Sequence, residues 1–397
     1  MAEGSRSEQP CRTDPQAHDA RPNFLERLAL RYLSQREAAL PPVEADDELH
    51  ILNDREQRDL LRVERMMVLR AALVGALSAL VSGIAELLAQ PTLGADPDAA
   101  TWGQQAVFWS IVGGATAVAT AFEVAFLYWD ALRSVHTMAR AAGIDLFPAE
   151  EETTAVARSL TRAALEMPSP TRGPHQINAH AEISKWQVLV ATLLYKLKIG
   201  ITSFLLKALL RRLLGRAALR VWLVFVSVPV TAAWNAVVAF WVIREARIRA
   251  IGPSRAIEFC DRLLPDTELA PDAREGVLRA VAASIVRTRA VHPNLLAFLR
   301  EVEARVGTPD LDDLDNTQRY LQLLPTLDPE AQALSLKILA ASAVIDGRLS
   351  RAERALLREA RRATGRSSHL GAIVTLGRVV SRGRLLEDPH LEAVAAD

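Results

Sequence analysis

The stretch "ATAFEVAFLYW", residues 119–129, carries a single charge, Glu123, inside an apolar run that begins at Ala106. Only Ser110, Thr116 and Thr120 otherwise interrupt that run with polar side chains. A helix that is apolar on every side is either the centre of a large soluble fold or a bilayer crossing. Length favours the crossing, because roughly 20 apolar residues match the hydrocarbon thickness. A second such run, Ala71 to Ala89, has Glu86 as its one charge. All seven tryptophans fall between Trp102 and Trp241, most of them at the ends of apolar runs. A ring with one polar edge suits the headgroup zone at those places.

Working outward, both runs repeat a small residue every fourth position. Ala71, Gly75, Ala79 and Gly83 form one ladder; Gly113, Ala117, Ala121 and Ala125 form the other. Such ladders let helix backbones approach closely in lipid, so a packed hairpin of the two runs is expected. Arg55, Arg58, Arg62, Arg65 and Arg70 precede the hairpin, Arg133 and Arg140 follow it, and the loop from Pro91 to Gln104 has no Lys or Arg. The positive-inside rule then puts the N-terminus in the cytoplasm and the loop outside.

Two further runs follow, Trp186–Leu206 and Val221–Ile243. The second reads as a span between Arg220 and Arg244, kinked at Pro229. The first carries Lys196 and Lys198 and either spans or lies in the interface. If both span, the intervening "KALLRRLLGRAALR" (207–220) becomes an outside loop with five basic residues, against the charge rule. Four spans with a cytoplasmic C-terminus are expected, because the C-terminal region reads as a cytosolic domain.

Over 397 residues the charges cancel, with 47 basic and 47 acidic side chains, but they are segregated. Lys196 to Arg255 holds eleven basic residues and one acid, Glu245. That pattern, interleaved with apolar runs, points to a bilayer with anionic lipids ahead of nucleic acid, which is not expected as a partner. Cys11 and Cys260 provide no disulfide framework, as in a reducing compartment. Residues 1–22 are polar, without a signal-peptide core, and read as a disordered tail. A preponderance of Ala, Leu and Arg over Lys suggests a GC-rich bacterial genome. The expected organisation is cytoplasmic helices at 23–67, a transmembrane hairpin at 68–130 and a cytoplasmic connector at 131–185. A transmembrane or interfacial hairpin at 186–245 and a helical domain at 253–390 complete it. At the start, Phe24, Leu28, Tyr32 and Leu33 suggest the buried stripe of a first helix, with Asn23 and Glu26 as its cap pair.

The C-terminal region contains an internal repeat. "LRAVAASIVRTRAVHPNLLAFLREVEARVG" (278–307) aligns without gaps to "LKILAASAVIDGRLSRAERALLREARRATG" (336–365), and ten of the thirty positions are identical. A duplicated helix-turn-helix would bury one face of each copy against the other. In the second copy Asp346 and Gly347 can stop one helix, and Ser350 with Glu353 offers a capping box to start the next.

The stretch "LAASAVIDGRLSRAERALL" (339–357) resembles the signature of TerB-like domains, named from tellurite resistance: an Ala-rich helix, then Asp-Gly-x-Leu-Ser-x-x-Glu, then a second helix. The resemblance is specific over those residues, extends over about 260–385, and leaves the membrane half unassigned. It implies an all-α domain, acidic side chains that bind divalent cations, and work beside or attached to membrane proteins. Carried onto this sequence, it touches Asp346 and Glu353 only, as ligands of a divalent cation such as calcium; no cofactor is otherwise expected. The same two residues also do a complete job as helix stop and helix start, and two carboxylates fall short of the roughly 6–8 oxygens that calcium prefers.

Charges at membrane depth are costly unless paired or protonated. At about 1.5 Å per residue, Glu86 and Glu123 differ in depth by roughly 14 Å, so they are not a carboxylate pair. Lys196, at a depth similar to Glu123, is the expected partner of that carboxylate, and Lys198 lies nearer to Glu86 in depth. Enzyme signatures are absent: there is no phosphate loop, nucleophile elbow or zinc-type spacing, and His175, His180 and Glu182 read as a solvated loop. The fold class expected is all-α, transmembrane hairpins followed by a duplicated TerB-like domain. The function expected is that of a non-enzymatic bacterial inner-membrane protein whose cytoplasmic module, within 253–397, binds a protein partner or senses envelope or metal stress. The alternative is an ion- or proton-coupled transporter using Glu86, Glu123 and Lys196.

Overall fold

A computed structural model of the chain describes residues 24–41, 54–94, 100–143, 146–147, 152–165, 220–264, 268–288, 291–307, 313–384 and 386–396. The regular elements among them are all helical, and three helices are long and apolar enough to cross a membrane. These are α2 (Asp54–Ala89), α3 (Trp102–Ala141) and α5 (Arg220–Leu263); α1 (Phe24–Ala38) and α4 (Glu152–Ala164) are shorter. The expected tail at 1–22, the run 186–206 and the loop bearing His175, His180 and Glu182 lie outside the described residues.

The long helices expose apolar surface. Only 6% of the most apolar window of α3 is buried within the protein. Trp102, Val118 and Phe122 are 85, 72 and 61% exposed. Contiguous apolar surface of this kind is a liability in water and the required complement of lipid tails. Thr101 starts α3 with a full capping box, its hydroxyl accepting from the Gln104 N–H while the Gln104 side chain returns to the Thr101 N–H.

Contacts between the long helices fix their directions. Arg70 Nε of α2 meets Asp130 Oδ1 of α3 at 2.8 Å, and at the other end of the pair Ala89 packs with Phe108 and Val112, so α2 and α3 are antiparallel. Glu64 of α2 pairs with Arg247 of α5 at 3.0 Å, while Gly75 meets Asn235 farther along, so α2 and α5 are antiparallel too. Thus α5 runs parallel to α3, the direction that the last helix has in the expected four-span scheme. The start of α2, the end of α3 and the end of α5 consequently share one face. There α1 and α4 close a small core containing Leu33, Leu60, Val135, Met138, Leu160 and Ile243.

Two expectations of packing are corrected. The α2 ladder of Ala71, Gly75, Ala79 and Gly83 is buried, but Gly113, Ala117, Ala121 and Ala125 of α3 are exposed, and a Cβ on Gly113 would meet nothing within 4 Å. The hairpin does form, but α3 turns Phe108, Val112, Glu123 and Asp130 inward instead. In α1, Phe24 and Leu28 face outward, and the buried positions are Glu26, Ala29 and Leu33. Glu26 is drawn in by Arg158 of α4, whose Nε reaches its Oε1 at 2.8 Å, which takes this side chain away from a capping role.

Beyond the junction α5 continues through Pro253 without ending, and its last turns enter the C-terminal core through Ala256, Phe259, Cys260 and Leu263. The core is completed by α6 (Pro271–Thr288), α7 (Pro293–Val306), α8 (Thr317–Leu323), α9 (Pro329–Val344), α10 (Arg351–Ala363), α11 (Gly371–Ser381) and α12 (Asp388–Ala396). The repeat is visible in three dimensions: α6–α7 and α9–α10 are both helix–turn–helix units, and α6 packs along α9. Ser284 and Ser342, at matched positions of the two copies, are both fully buried. His292 and Ser350, also matched, are both N-caps, the first through Nδ1 accepting from the Asn294 N–H and the second through its hydroxyl.

Candidate functional site

Two polar constellations stand out, one among the long apolar helices and one where α5 enters the C-terminal domain. In the first, Asn235 Nδ2 of α5 donates to Glu123 Oε1 of α3 at 2.7 Å. Asn235 is buried, and a Cβ on Gly75 of α2 would stand 2.5 Å from its Nδ2 and 3.0 Å from the Thr231 carbonyl oxygen. Three helices therefore meet at one point: a glycine that leaves space, an amide that fills it, and a carboxylate that takes the amide's hydrogen. Counted along α3, Glu123 lies about 10 Å from Asp130, within the apolar stretch of the helix. A hydrogen bond there offsets part of the cost of placing a polar side chain in apolar surroundings.

Of the intramembrane charges expected from the sequence, only Glu123 is brought into this node. Glu86 is half-buried near the far end of α2, and Lys196 and Lys198 lie outside the described residues. Asn235 was missed, although a signal existed. Ser227, Thr231 and Asn235 recur every fourth residue in an otherwise apolar run, the spacing of one helix face.

The second constellation surrounds the Asp346–Gly347 turn between α9 and α10. Gly347 has φ 70°, and a Cβ on it would press against Ile248 Cδ1 of α5 at 2.7 Å, so both backbone conformation and space demand glycine. Asp346 Oδ1 accepts from the Arg348 N–H at 2.9 Å. Glu353 closes the capping box, its Oε2 accepting from the Ser350 N–H at 2.8 Å while its own N–H donates to Ser350 Oγ at 3.1 Å. Glu353 is only 1% exposed; burial, followed by repulsion from Asp346, pushes its carboxyl up to about 8. Burial also raises Asp346.

Both repeat copies present this end to α5. Glu245 of α5 takes His292 Nε2 at 3.2 Å on one oxygen and Arg348 at 3.3 Å on the other, so the turns of the first and second copies converge on one carboxylate. Asn294 Nδ2 bridges the carbonyls of Ile248 and Ile345, each at 2.9 Å, joining α5 to the end of α9. A movement of α5 along its axis relative to the C-terminal domain would have to break these contacts. Among the described residues no group of three or more His, Cys, Asp or Glu side chains is placed to hold a metal ion. Asp346 and Glu353 take part in the turn and the cap. No protein-family model, curated protein or solved structure matches the chain.

Proposed function

We propose that the chain is a bacterial inner-membrane adaptor, with α2, α3 and α5 anchored in the bilayer and the duplicated C-terminal bundle on the cytoplasmic side as a binding or sensing module. The observation that carries this reading is the continuity of α5, which passes from the apolar bundle into the C-terminal core and is gripped at Glu245 by both repeat copies. The basic residues flanking the shared face of α2, α3 and α5 support its cytoplasmic placement. The resemblance of 339–357 to TerB-like domains supports a partner-binding role in envelope or metal stress. Asp346 and Glu353 then act as structural residues of the turn, with calcium binding as the contrary reading.

A second reading is favoured by the Glu123–Asn235 pair, because an ionisable group at membrane depth is the usual mark of a proton or ion path. Reconstitution of the full chain in liposomes separates the two. An adaptor gives no ion or proton flux above that of empty vesicles under any imposed gradient. Flux that disappears in Glu123→Gln would establish the transporter.

A further inference from the structure

A cavity of about 770 Å³ lies between α2 and α5 where their apolar stretches end, and two residues just beyond α11 complete its lining. One wall is apolar, with Leu61, Val68, Leu69 and Ala72 of α2 and Phe240 of α5. Basic side chains line the same cavity: Arg65 of α2, Arg244 and Arg247 of α5, and Arg382 and Arg384 just beyond α11, against one carboxylate, Glu64. Glu64 is already committed to Arg247, which also donates to the Ser381 carbonyl at 3.3 Å. Arg65, Arg244, Arg382 and Arg384 have no side-chain acceptor among the described residues. Four guanidinium groups without a carboxylate partner around one cavity favour an anion there.

The level of the rim identifies the anion. Arg65 stands six residues, about 9 Å, ahead of Ala71, where the apolar run of α2 begins, and Arg244 directly follows Ile243, where that of α5 ends. This is the height of lipid phosphates, and basic pockets between membrane helices at such a level suit acidic headgroups. From the arginines, Leu69 and Phe240, 51 and 43% exposed, lead toward the hydrocarbon and leave a path for acyl chains.

We propose that this cavity binds one anionic glycerophospholipid, with its phosphate on Arg65, Arg244, Arg382 and Arg384 and its acyl chains along Leu69, Ala72 and Phe240. Guanidinium forks match phosphate oxygens in geometry and charge. Since Arg382 and Arg384 belong to the C-terminal domain and the others to membrane helices, the lipid clamps the domain against the bilayer. A soluble phosphate ester shares the phosphate chemistry but would leave the apolar wall bare. The assignment rests on the membrane-anchored reading.

The test uses the full chain, delipidated in neutral detergent and offered phosphatidylglycerol and phosphatidylcholine with identical acyl chains, with bound lipid read by native mass spectrometry. One phosphatidylglycerol per chain is expected, retained about tenfold or more over phosphatidylcholine. The double variant Arg382→Ala/Arg384→Ala should lose that preference by a similar factor with an unchanged melting temperature, since both side chains are exposed and unpaired. Equal retention of the two lipids, or an unaffected double variant, overturns the proposal. Displacement by millimolar glycerol 3-phosphate would overturn it in favour of a soluble ligand. Fractionation of the same protein keeps the two failures apart. A chain found in the aqueous fraction without detergent removes the membrane reading itself, whereas a membrane-bound chain without lipid preference removes only this site.

Discussion

Asn235 of α5 reaches Glu123 of α3 at 2.7 Å through a gap that exists because residue 75 of α2 has no side chain. Polar contact and backbone approach are thus one feature, and each makes a separate demand on the sequence.

A methyl group on Gly75 would overlap the Asn235 amide, so Gly75→Ala should destabilise the helix bundle by about 1–3 kcal/mol, the usual cost of overpacking. Gly113→Ala, where a Cβ meets nothing, should be neutral or slightly stabilising. Unfolding of the full chain in mixed micelles by denaturing detergent reads both.

The amide and the carboxylate should show coupling. Asn235→Leu leaves Glu123 without this donor and should cost about 1–2 kcal/mol, the upper range for polar contacts between membrane helices. Glu123→Leu in the same background should recover part of that loss, because an apolar pair leaves nothing unsatisfied. Purely additive losses in the double-mutant cycle would show that the two side chains do not interact.

Glu353 gives the C-terminal domain a pH dependence of definite sign. Its carboxyl titrates near 4.5 when unfolded and about 8 when folded, so the folded state holds the extra proton between those values. Stability from this group is therefore complete below about pH 4.5 and is lost as pH rises toward 8. Asp346 acts in the same direction. Glu353→Gln keeps an oxygen for the Ser350 N–H and removes the titration, so thermal melting between pH 5 and 8 should flatten relative to the parent.

At the same turn, Ser350→Ala should lower stability by about 1 kcal/mol as a lost N-cap. Gly347→Ala should cost at least as much, about 1–2 kcal/mol for the left-handed backbone alone, with the Ile248 contact added. Addition of calcium should leave the melting temperature of the full chain where it was. A calcium-induced rise would assign Asp346 and Glu353 to a metal site after all.

Local signals carried much of the architecture. The apolar runs around Glu86 and Glu123 marked α2 and α3, the Asp346–Gly347 stop and the Ser350–Glu353 box marked the α9–α10 turn, and the repeat marked two matched helix pairs. What stayed hidden was which face meets which partner. Gly113 and Gly75 sit in similar ladders, yet only Gly75 has a neighbour, because a ladder records permission to pack and not the identity of the partner. Phe24 and Leu28 gave α1 a plausible apolar stripe, but Arg158, more than a hundred residues away, drew Glu26 inward. His292 became an N-cap without belonging to the residue types that usually serve there, so only its alignment with Ser350 could have revealed it.

Sidedness offers the most direct test. In a background lacking Cys11 and Cys260, Gly103→Cys at the start of α3 and Ser368→Cys between α10 and α11 report opposite ends of the long helices; both positions are exposed. With a membrane-impermeant maleimide applied to intact spheroplasts, labelling is expected at Gly103→Cys, and at Ser368→Cys only after lysis. Labelling of both sites in intact spheroplasts, or recovery of the full chain in the soluble fraction without detergent, would contradict a membrane-anchored protein with its C-terminal bundle in the cytoplasm.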